Sequence, residues 1–164
     1  MNYTHENLKK AFSGESQANR KYLAFSKKAE EEGYLQVAKL FRAAAEAETV
    51  HALSHLDKMG IVGSTEENLK QAIDGETHEA EQMYPAMILH AKEENNQAAE
   101  IGFRWANEVE KEHASLYKKA LEKMGSAEVI DYFVCQVCGH THEGEPEGNC
   151  PVCGASKENF KKIE

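Results

Sequence analysis

The sequence has few prolines, no cysteine before position 135 and no long apolar run. Only three of its 164 residues are proline, and residues 1–125 contain just one, Pro85. Because proline breaks helices, its scarcity here favours a mainly helical chain. No stretch of about 18 apolar residues is present, which argues against a membrane-spanning helix. The first ten residues also lack the apolar middle of a signal peptide, so we expect a cytoplasmic protein.

Positive charge is scarce as well. Lysine and arginine together number 19 against 28 aspartate and glutamate residues, which gives a net charge of −9. This excess of acid argues against nucleic acid and anionic membranes as partners. Since a buried carboxylate requires a compensating cation, part of the acid is expected to bind metal.

Glycines and capping signals divide the first 125 residues into helices. Ser64 followed by Glu67 predicts a capping box at the start of one of them, and Gly75 indicates a bend within it. Apolar residues recur at helical spacing on either side of these signals. The expected helices are 4–32, 34–59, 64–94 and 97–124.

Glu-x-x-His occurs twice in the predicted helices, as Glu48-x-x-His51 and Glu110-x-x-His113. Residues three apart share a helix face, so each pair can bind one metal ion. A Gly-Glu pair precedes each motif by one helix, which indicates an internal repeat of a helical hairpin. Two such motifs with their partner glutamates are typical of a di-metal site in a four-helix bundle. The candidate ligands are Glu15, Glu48, His51, Glu76, Glu79, Glu110 and His113.

Five carboxylates and two imidazoles suit two ions of iron or manganese, whereas zinc would leave such a site without a redox role. The repeat has one asymmetry, since the position that matches Glu79 in the first hairpin is Ala18. We hypothesise that Glu79 competes with His51 for one metal as its oxidation state changes. Tyr22 and Tyr84 are candidates to donate hydrogen bonds to a ligand or to bound oxygen species. Their spacing fits a core aromatic with a polar tip equally well.

The four cysteines form a second candidate metal site in a segment of different composition. Residues 129–164 are predicted to form a small domain after a helical domain over residues 1–128. Two Cys-x-x-Cys pairs, each followed by glycine, predict a tetrahedral thiolate site for zinc or iron. An adjoining di-metal bundle favours iron, which could pass single electrons. His140 and His142 are expected at the surface, because four sulfurs complete the site. The predicted ligands are Cys135, Cys138, Cys150 and Cys153.

Over its whole length the sequence resembles rubrerythrin. The carrying motifs are Gly14-Glu15-Ser16-Gln17-Ala18, Glu48-x-x-His51, Gly75-Glu76-x-x-Glu79, Tyr84-Pro85, Glu110-x-x-His113, Cys135-x-x-Cys138-Gly139 and Cys150-Pro151-x-Cys153-Gly154. His140 departs from the family pattern, because rubredoxin knuckles often carry an aromatic residue there.

The resemblance implies a ferritin-like four-helix bundle with a di-iron site, followed by a rubredoxin-like domain with one iron. It implies a peroxidase that reduces hydrogen peroxide to water and protects an anaerobe or microaerophile from oxidative stress. Electrons would enter through the rubredoxin iron from an upstream donor, linked to NAD(P)H by a separate reductase. A homodimer or higher oligomer is also implied, with the rubredoxin domain of one subunit near the di-iron site of another.

The resemblance also implies a role for each ligand. Glu48 and Glu110 would bridge the two irons. One iron would be bound by Glu15, Glu79 and His51, and the other by Glu76 and His113. Tyr22 and Tyr84 match family positions near the cluster, and the ligand exchange at Glu79 is a family feature.

Two other functions fit parts of the pattern. A ferroxidase that oxidises Fe(II) with oxygen would use the same bundle, but it does not need the fused four-cysteine domain. A non-enzymatic electron carrier or zinc-stabilised structural protein would not need all seven ligand positions filled. Metal content separates the last function from the others, and the preferred oxidant separates the first two.

Overall fold

The computed structural model describes residues 3–126 and 128–164. Its elements form two compact units, Met1–Gly63 and Ser64–Glu164. The four expected helices agree with the helical segments to within about two residues at most ends. The helices are α1 (Tyr3–Glu31), α2 (Leu35–Met59), α3 (Thr65–His78), a π-helical turn (Glu79–Met83), α4 (Tyr84–Glu93) and α5 (Gln97–Glu122).

The first unit is an antiparallel hairpin of α1 and α2. The chain reverses at Gly33, whose φ of +83° is readily adopted only by glycine. Alanine is buried every seven residues along α2, at Ala38, Ala45 and Ala52. Small side chains at heptad spacing let α1 pack closely along one seam of α2. Gly60, in the left-handed conformation, ends α2 and donates its N–H to the carbonyl of Asp57.

The second unit begins with the predicted capping box. The Ser64 hydroxyl accepts from the N–H of Glu67, and the Glu67 carboxylate accepts from the N–H of Ser64. No interruption occurs at Gly75, where a bend was expected, because α3 continues through that residue to His78. The irregularity comes later, in the π-helical turn that separates α3 from α4. It ends two residues before Pro85, which cannot donate a backbone hydrogen bond.

The cysteine-rich segment of this unit forms a small antiparallel sheet. Its strands are β1 (Tyr132–Cys135), β2 (Thr141–Glu143) and β3 (Phe160–Ile163), in the order β2-β1-β3. Phe133 pairs with His142 on one side and with Lys162 on the other. A sheet this small buries little apolar surface, so bound metal is expected to supply much of its stability.

The predicted fold class is confirmed. The chain is mainly α-helical, with the helices of a ferritin-like bundle followed by a small rubredoxin-like domain with four cysteines. Among the described residues, no helix is both long and apolar enough to cross a membrane.

The capping box predicts a measurable loss of stability when Ser64 is replaced. Ser64→Ala removes the acceptor for the N–H of Glu67 and should lower the free energy of unfolding by about 1 kcal/mol. Urea denaturation of the full chain measures this change. Ser115→Ala, on the exposed side of α5, is the matched control and should change stability by less than about 0.5 kcal/mol. Equal effects in the two variants would contradict the capping role.

Candidate metal centres

In the first unit, three predicted ligands lie together on the facing sides of α1 and α2. Glu15, Glu48 and His51 each offer one ligand atom, and these atoms lie within 4.8 Å of one another. Nδ1 of His51 lies 2.9 Å from Oε2 of Glu48 and 4.0 Å from Oε1 of Glu15. The helical spacing of Glu48 and His51 brings them together, whereas Glu15 reaches them across the hairpin.

The second unit repeats this arrangement with α3 and α5. Glu76, Glu110 and His113 form a group that meets the same 4.8 Å limit. Nδ1 of His113 lies 2.8 Å from Oε2 of Glu110 and 3.8 Å from Oε1 of Glu76. Within each unit the three donors therefore have nearly the same geometry, as the internal sequence repeat predicts.

The electrostatics of these groups fit a cation. Burial and the adjacent Glu110 carboxyl raise the pKa of Glu76 above its usual value. Over the parts of the chain that the structure describes, neither lysine nor arginine forms an ion pair with any of the four grouped glutamates. Like carboxylates close together without a cationic side chain repel one another, and a divalent metal would remove that repulsion. The glutamate and histidine groups thus fit iron.

Glu79 and the two predicted tyrosines have different surroundings. Glu79 is half-buried at the start of the π-helical turn and is not part of the group formed by Glu76 and its neighbours. Tyr84 lies close enough to the carboxylates for their charges to change the pKa of its phenol. Burial, followed by the charges of Glu110, Glu79 and Glu76, raises the pKa of its phenol. Tyr22 instead packs against the rings of Phe25 and Phe41.

The four cysteines form the third group. Their sulfurs lie within 4.8 Å of one another, with Cys135 Sγ 3.7 Å from Cys153 Sγ and Cys138 Sγ 3.5 Å from Cys150 Sγ. These distances are too long for disulfides. Four sulfurs bound tetrahedrally at about 2.3 Å from an ion would lie about 3.8 Å apart, so the arrangement fits a single iron.

Two glycine turns shape this thiolate group. Gly139 and Gly154 have φ values of +88° and +77°, and each donates its N–H to the carbonyl of the first cysteine in its pair, at 2.9 Å in both cases. Burial tends to raise the pKa of Cys135, but hydrogen bonds from the N–H groups of Val137 and Cys138 outweigh it and lower that pKa. Donors aimed at sulfur stabilise thiolate, the form that binds metal.

His140 was expected at the surface, and this expectation is wrong. The side chain is 5% exposed, and its ring packs edge-on against the rings of His142 and Phe160. It occupies the place of an aromatic residue and fills the small core beside the cysteines. Neither ring nitrogen has a hydrogen-bond partner among the described residues. Burial therefore lowers the pKa of His140 and keeps the ring neutral.

Three polar residues near these groups were not singled out from the sequence. Asn19 and Asn107 are buried and donate side-chain amides across their hairpins, to the carbonyls of Ala45 and Ala80. The hydroxyl oxygen of Thr141 lies 3.0 Å from Nε2 of His113. Each asparagine lies within four residues of a candidate ligand, but the two do not occupy matching positions of the repeat, since Asn19 corresponds to Ala80 and Asn107 to Ala45. No sequence signal indicates Thr141, because strand β2 and helix α5 meet only in the tertiary structure.

The burial of His140 predicts a pH dependence of stability. The unfolded chain binds a proton at His140 near the ordinary pKa of about 6.5, and the folded protein binds it only at lower pH. The free energy of unfolding is thus retained above about pH 6.5. It falls as the pH drops from there toward the lower pKa of the folded protein, by at most about 1.4 kcal/mol per pH unit. His140→Phe should lack this loss. Urea denaturation of the metal-loaded chain between about pH 8 and about pH 5.5 measures the difference.

A histidine at the surface provides the control for this measurement. His78→Gln, on the exposed side of α3, should keep the wild-type pH dependence. If His140→Phe lost stability with falling pH as steeply as the wild type, the buried ring would not be its source.

Family profiles and individual relatives both match the chain to the same protein family. The rubrerythrin family profile matches residues 6–121, and the profile of the rubrerythrin rubredoxin-like domain matches residues 133–161. The chain is 34% identical to rubrerythrin-2 of Clostridium acetobutylicum, over 96% of this chain and 95% of that protein. It is 37% identical to nigerythrin of Nitratidesulfovibrio vulgaris, over 96% of this chain and 85% of that one.

Solved structures agree with the sequence comparison. The mixed-valence state of nigerythrin superimposes with a TM-score of 0.60 at 36% identity, over 98% of this chain and 86% of that chain. The fully reduced, all-ferrous state gives a TM-score of 0.60 at 35% identity, with the same coverage. The family profiles, the near full-length relatives and the three donor groups agree, and the chain belongs to the rubrerythrin family.

Proposed function

We propose that the chain is a non-haem di-iron peroxidase that reduces hydrogen peroxide to water, with electrons entering through the four-cysteine iron. Its family supports an oxidoreductase. The observation that carries the finer proposal is the presence in one chain of two matching Glu-Glu-His groups and one tetrathiolate group. Iron storage needs no electron inlet, and a simple electron carrier needs no carboxylate-rich site.

The proposed ligands follow from the three groups and one further residue. The helical domain, residues 1–128, would hold the iron pair, and residues 129–164 would hold the single iron. Glu79 would be an additional, exchangeable ligand, because it lies outside the grouped donors yet close enough to influence Tyr84. The proposed ligands are Glu15, Glu48, His51, Glu76, Glu79, Glu110 and His113 for the iron pair, and Cys135, Cys138, Cys150 and Cys153 for the single iron.

Each protein group near the iron pair has a chemical task. Bound ferrous iron would supply the electrons that cleave the O–O bond. Glu79, which lies outside the grouped donors, would accept and deliver protons. Tyr84 has a phenol whose pKa is raised by burial and by neighbouring carboxylates. It therefore stays protonated and would donate a hydrogen bond to the peroxide substrate. Tyr22 packs among rings and would provide a second phenol on the α1–α2 side.

A contact within the second unit supports electron entry from the cysteines. His113 uses Nδ1 toward the carboxylates and Nε2 toward the hydroxyl of Thr141. Thr141 lies three residues after Cys138 in the sequence, so a short covalent and hydrogen-bonded path joins a thiolate ligand to an imidazole ligand. The hydrogen bond also selects which histidine nitrogen faces the metal.

Partners and location complete the proposal. The upstream donor would be a small redox protein or a reductase linked to NAD(P)H. Four free thiols in the described chain suit a reducing cytoplasm. A homodimer or higher oligomer is proposed because the α1–α2 unit leaves large apolar side chains exposed. Leu35, Leu40 and Leu53 are 62%, 66% and 60% exposed, and such surfaces often mark interfaces.

Anaerobic rapid mixing tests the function. The fully reduced protein is mixed with hydrogen peroxide or with dissolved oxygen, and the return of the ferric-thiolate colour is followed. Colour should return faster with peroxide, because electrons leave the thiolate iron only as the bundle is oxidised. Faster return with oxygen would indicate an oxidase or ferroxidase instead. A protein that stays colourless would have zinc at the cysteines. That result would contradict the proposal that electrons enter through the four-cysteine site.

Glu79→Ala tests the proposed proton and ligand role. Six of the seven bundle ligands remain, so iron content should be largely retained, whereas peroxide turnover should fall at least about tenfold. Metal analysis and steady-state kinetics measure the two quantities. Glu81→Ala is the matched control, since Glu81 lies in the same π-helical turn but is exposed. Turnover unchanged in Glu79→Ala would remove Glu79 from the mechanism.

A further inference from the structure

The π-helical turn leaves one buried backbone carbonyl without a backbone donor. In an α-helix the carbonyl of Ala80 would accept from the N–H of Tyr84. That N–H instead bonds to the carbonyl of Glu79, five residues back. In a continued π-helix the donor for Ala80 would be residue 85, which is proline and has no N–H. Ala80 is 5% exposed, so water is a poor substitute.

The side chain of Asn107 supplies the missing donor. Its Nδ2 lies 2.6 Å from the carbonyl oxygen of Ala80. Asn107 projects from α5 and is itself only 8% exposed. An unsatisfied buried carbonyl costs more than an ordinary hydrogen bond contributes. The π-helical turn and Asn107 are therefore energetically coupled, although they lie far apart in sequence.

The π-helical turn also determines which residues share a face. At about 100° per residue, an α-helix would place Tyr84 about 140° around the axis from Glu79. The bond from the N–H of Tyr84 to the carbonyl of Glu79 stacks Tyr84 one turn above Glu79 instead. The phenol of Tyr84 consequently senses the charges of Glu110, Glu79 and Glu76 together.

We propose that Asn107 is a positioning residue, which holds the π-helical register by donating to the Ala80 carbonyl and so keeps Tyr84 in line with Glu79 beside the Glu76–Glu110–His113 group. The proposed function gives this register its catalytic use, but the register itself depends only on backbone geometry. Loss of the side-chain donor favours opening of the turn, which would break the bond from the Tyr84 N–H to the Glu79 carbonyl and move Tyr84 away from the carboxylates.

The other hairpin supplies a matched control. Asn19 is 9% exposed, and its Nδ2 lies 2.7 Å from the carbonyl of Ala45 and 2.9 Å from the hydroxyl of Thr49. Ala45 lies within the uninterrupted α-helix α2, so its carbonyl is an acceptor within a regular backbone ladder. Removing Asn19 thus deletes a buried amide of equal type without leaving a π-helical turn unsupported.

Hydrogen exchange on the iron-loaded full chain, resolved to single amides by mass spectrometry, tests the proposal. In Asn107→Ala the amide of Tyr84 should exchange at least about tenfold faster than in the wild type. In Asn19→Ala it should exchange at the wild-type rate. Pro85→Ala adds an N–H that can bond to the Ala80 carbonyl. The double variant Asn107→Ala/Pro85→Ala should therefore return the Tyr84 amide toward wild-type exchange.

Each outcome decides the proposal. Unchanged exchange at Tyr84 in Asn107→Ala, equal acceleration in Asn19→Ala, or no rescue by Pro85→Ala would overturn it. If Asn107→Ala does not fold, the double variant decides. A folded double variant with slow exchange at Tyr84 supports the proposal, and an unfolded one contradicts it. Amide exchange needs no oxidant, so failure here is distinct from failure of the peroxidase assignment.

Discussion

The constraint on which the helical part of this protein depends is the accumulation of carboxylates without cationic side chains. Glu76 and Glu110 lie together beside His113 with the pKa of Glu76 raised, and Glu15, Glu48 and His51 repeat the pattern. A metal ion that binds such a cluster removes the repulsion between its carboxylates. The helices therefore carry a binding function at the expense of intrinsic stability. Bound metal becomes part of the folding free energy, as it is for the four-thiolate domain.

The two hairpins are alike in their donors and differ in one stretch of backbone. Position 18 is alanine in the first hairpin and Glu79 is its counterpart in the second, and only the second contains a π-helical turn, at Glu79–Met83. The extra carboxylate and the irregular turn thus occur in the same place. This local asymmetry places a further carboxylate and a phenol near the Glu76–Glu110–His113 group. Asn107 satisfies the carbonyl that this asymmetry exposes.

The small C-terminal domain reaches its stability differently. Two glycine turns close onto cysteine carbonyls, backbone N–H groups of the first turn donate to the sulfur of Cys135, and a buried histidine takes the place of an aromatic core residue. Its strand β2 also touches α5, where Thr141 meets the outer nitrogen of His113. One hydrogen bond therefore both orients a candidate iron ligand and connects it with the cysteine-rich domain.

Much of this protein was determined by its sequence alone. The helices, the grouped ligands and the thiolate site were predicted from signals that each span only a few residues. These signals are the helical periodicity, the capping box at Ser64, the two Glu-x-x-His motifs and the two Cys-x-x-Cys pairs. The tertiary structure decided what depends on distant partners. The interruption of the helix lies at Glu79–Met83 and not at Gly75, and the buried carbonyl of Ala80 accepts from Asn107, which belongs to another helix. Likewise, His140 is buried and Thr141 meets His113 because the strands pack as they do. Local propensity cannot encode these contacts, since each joins groups whose proximity exists only after the chain has folded.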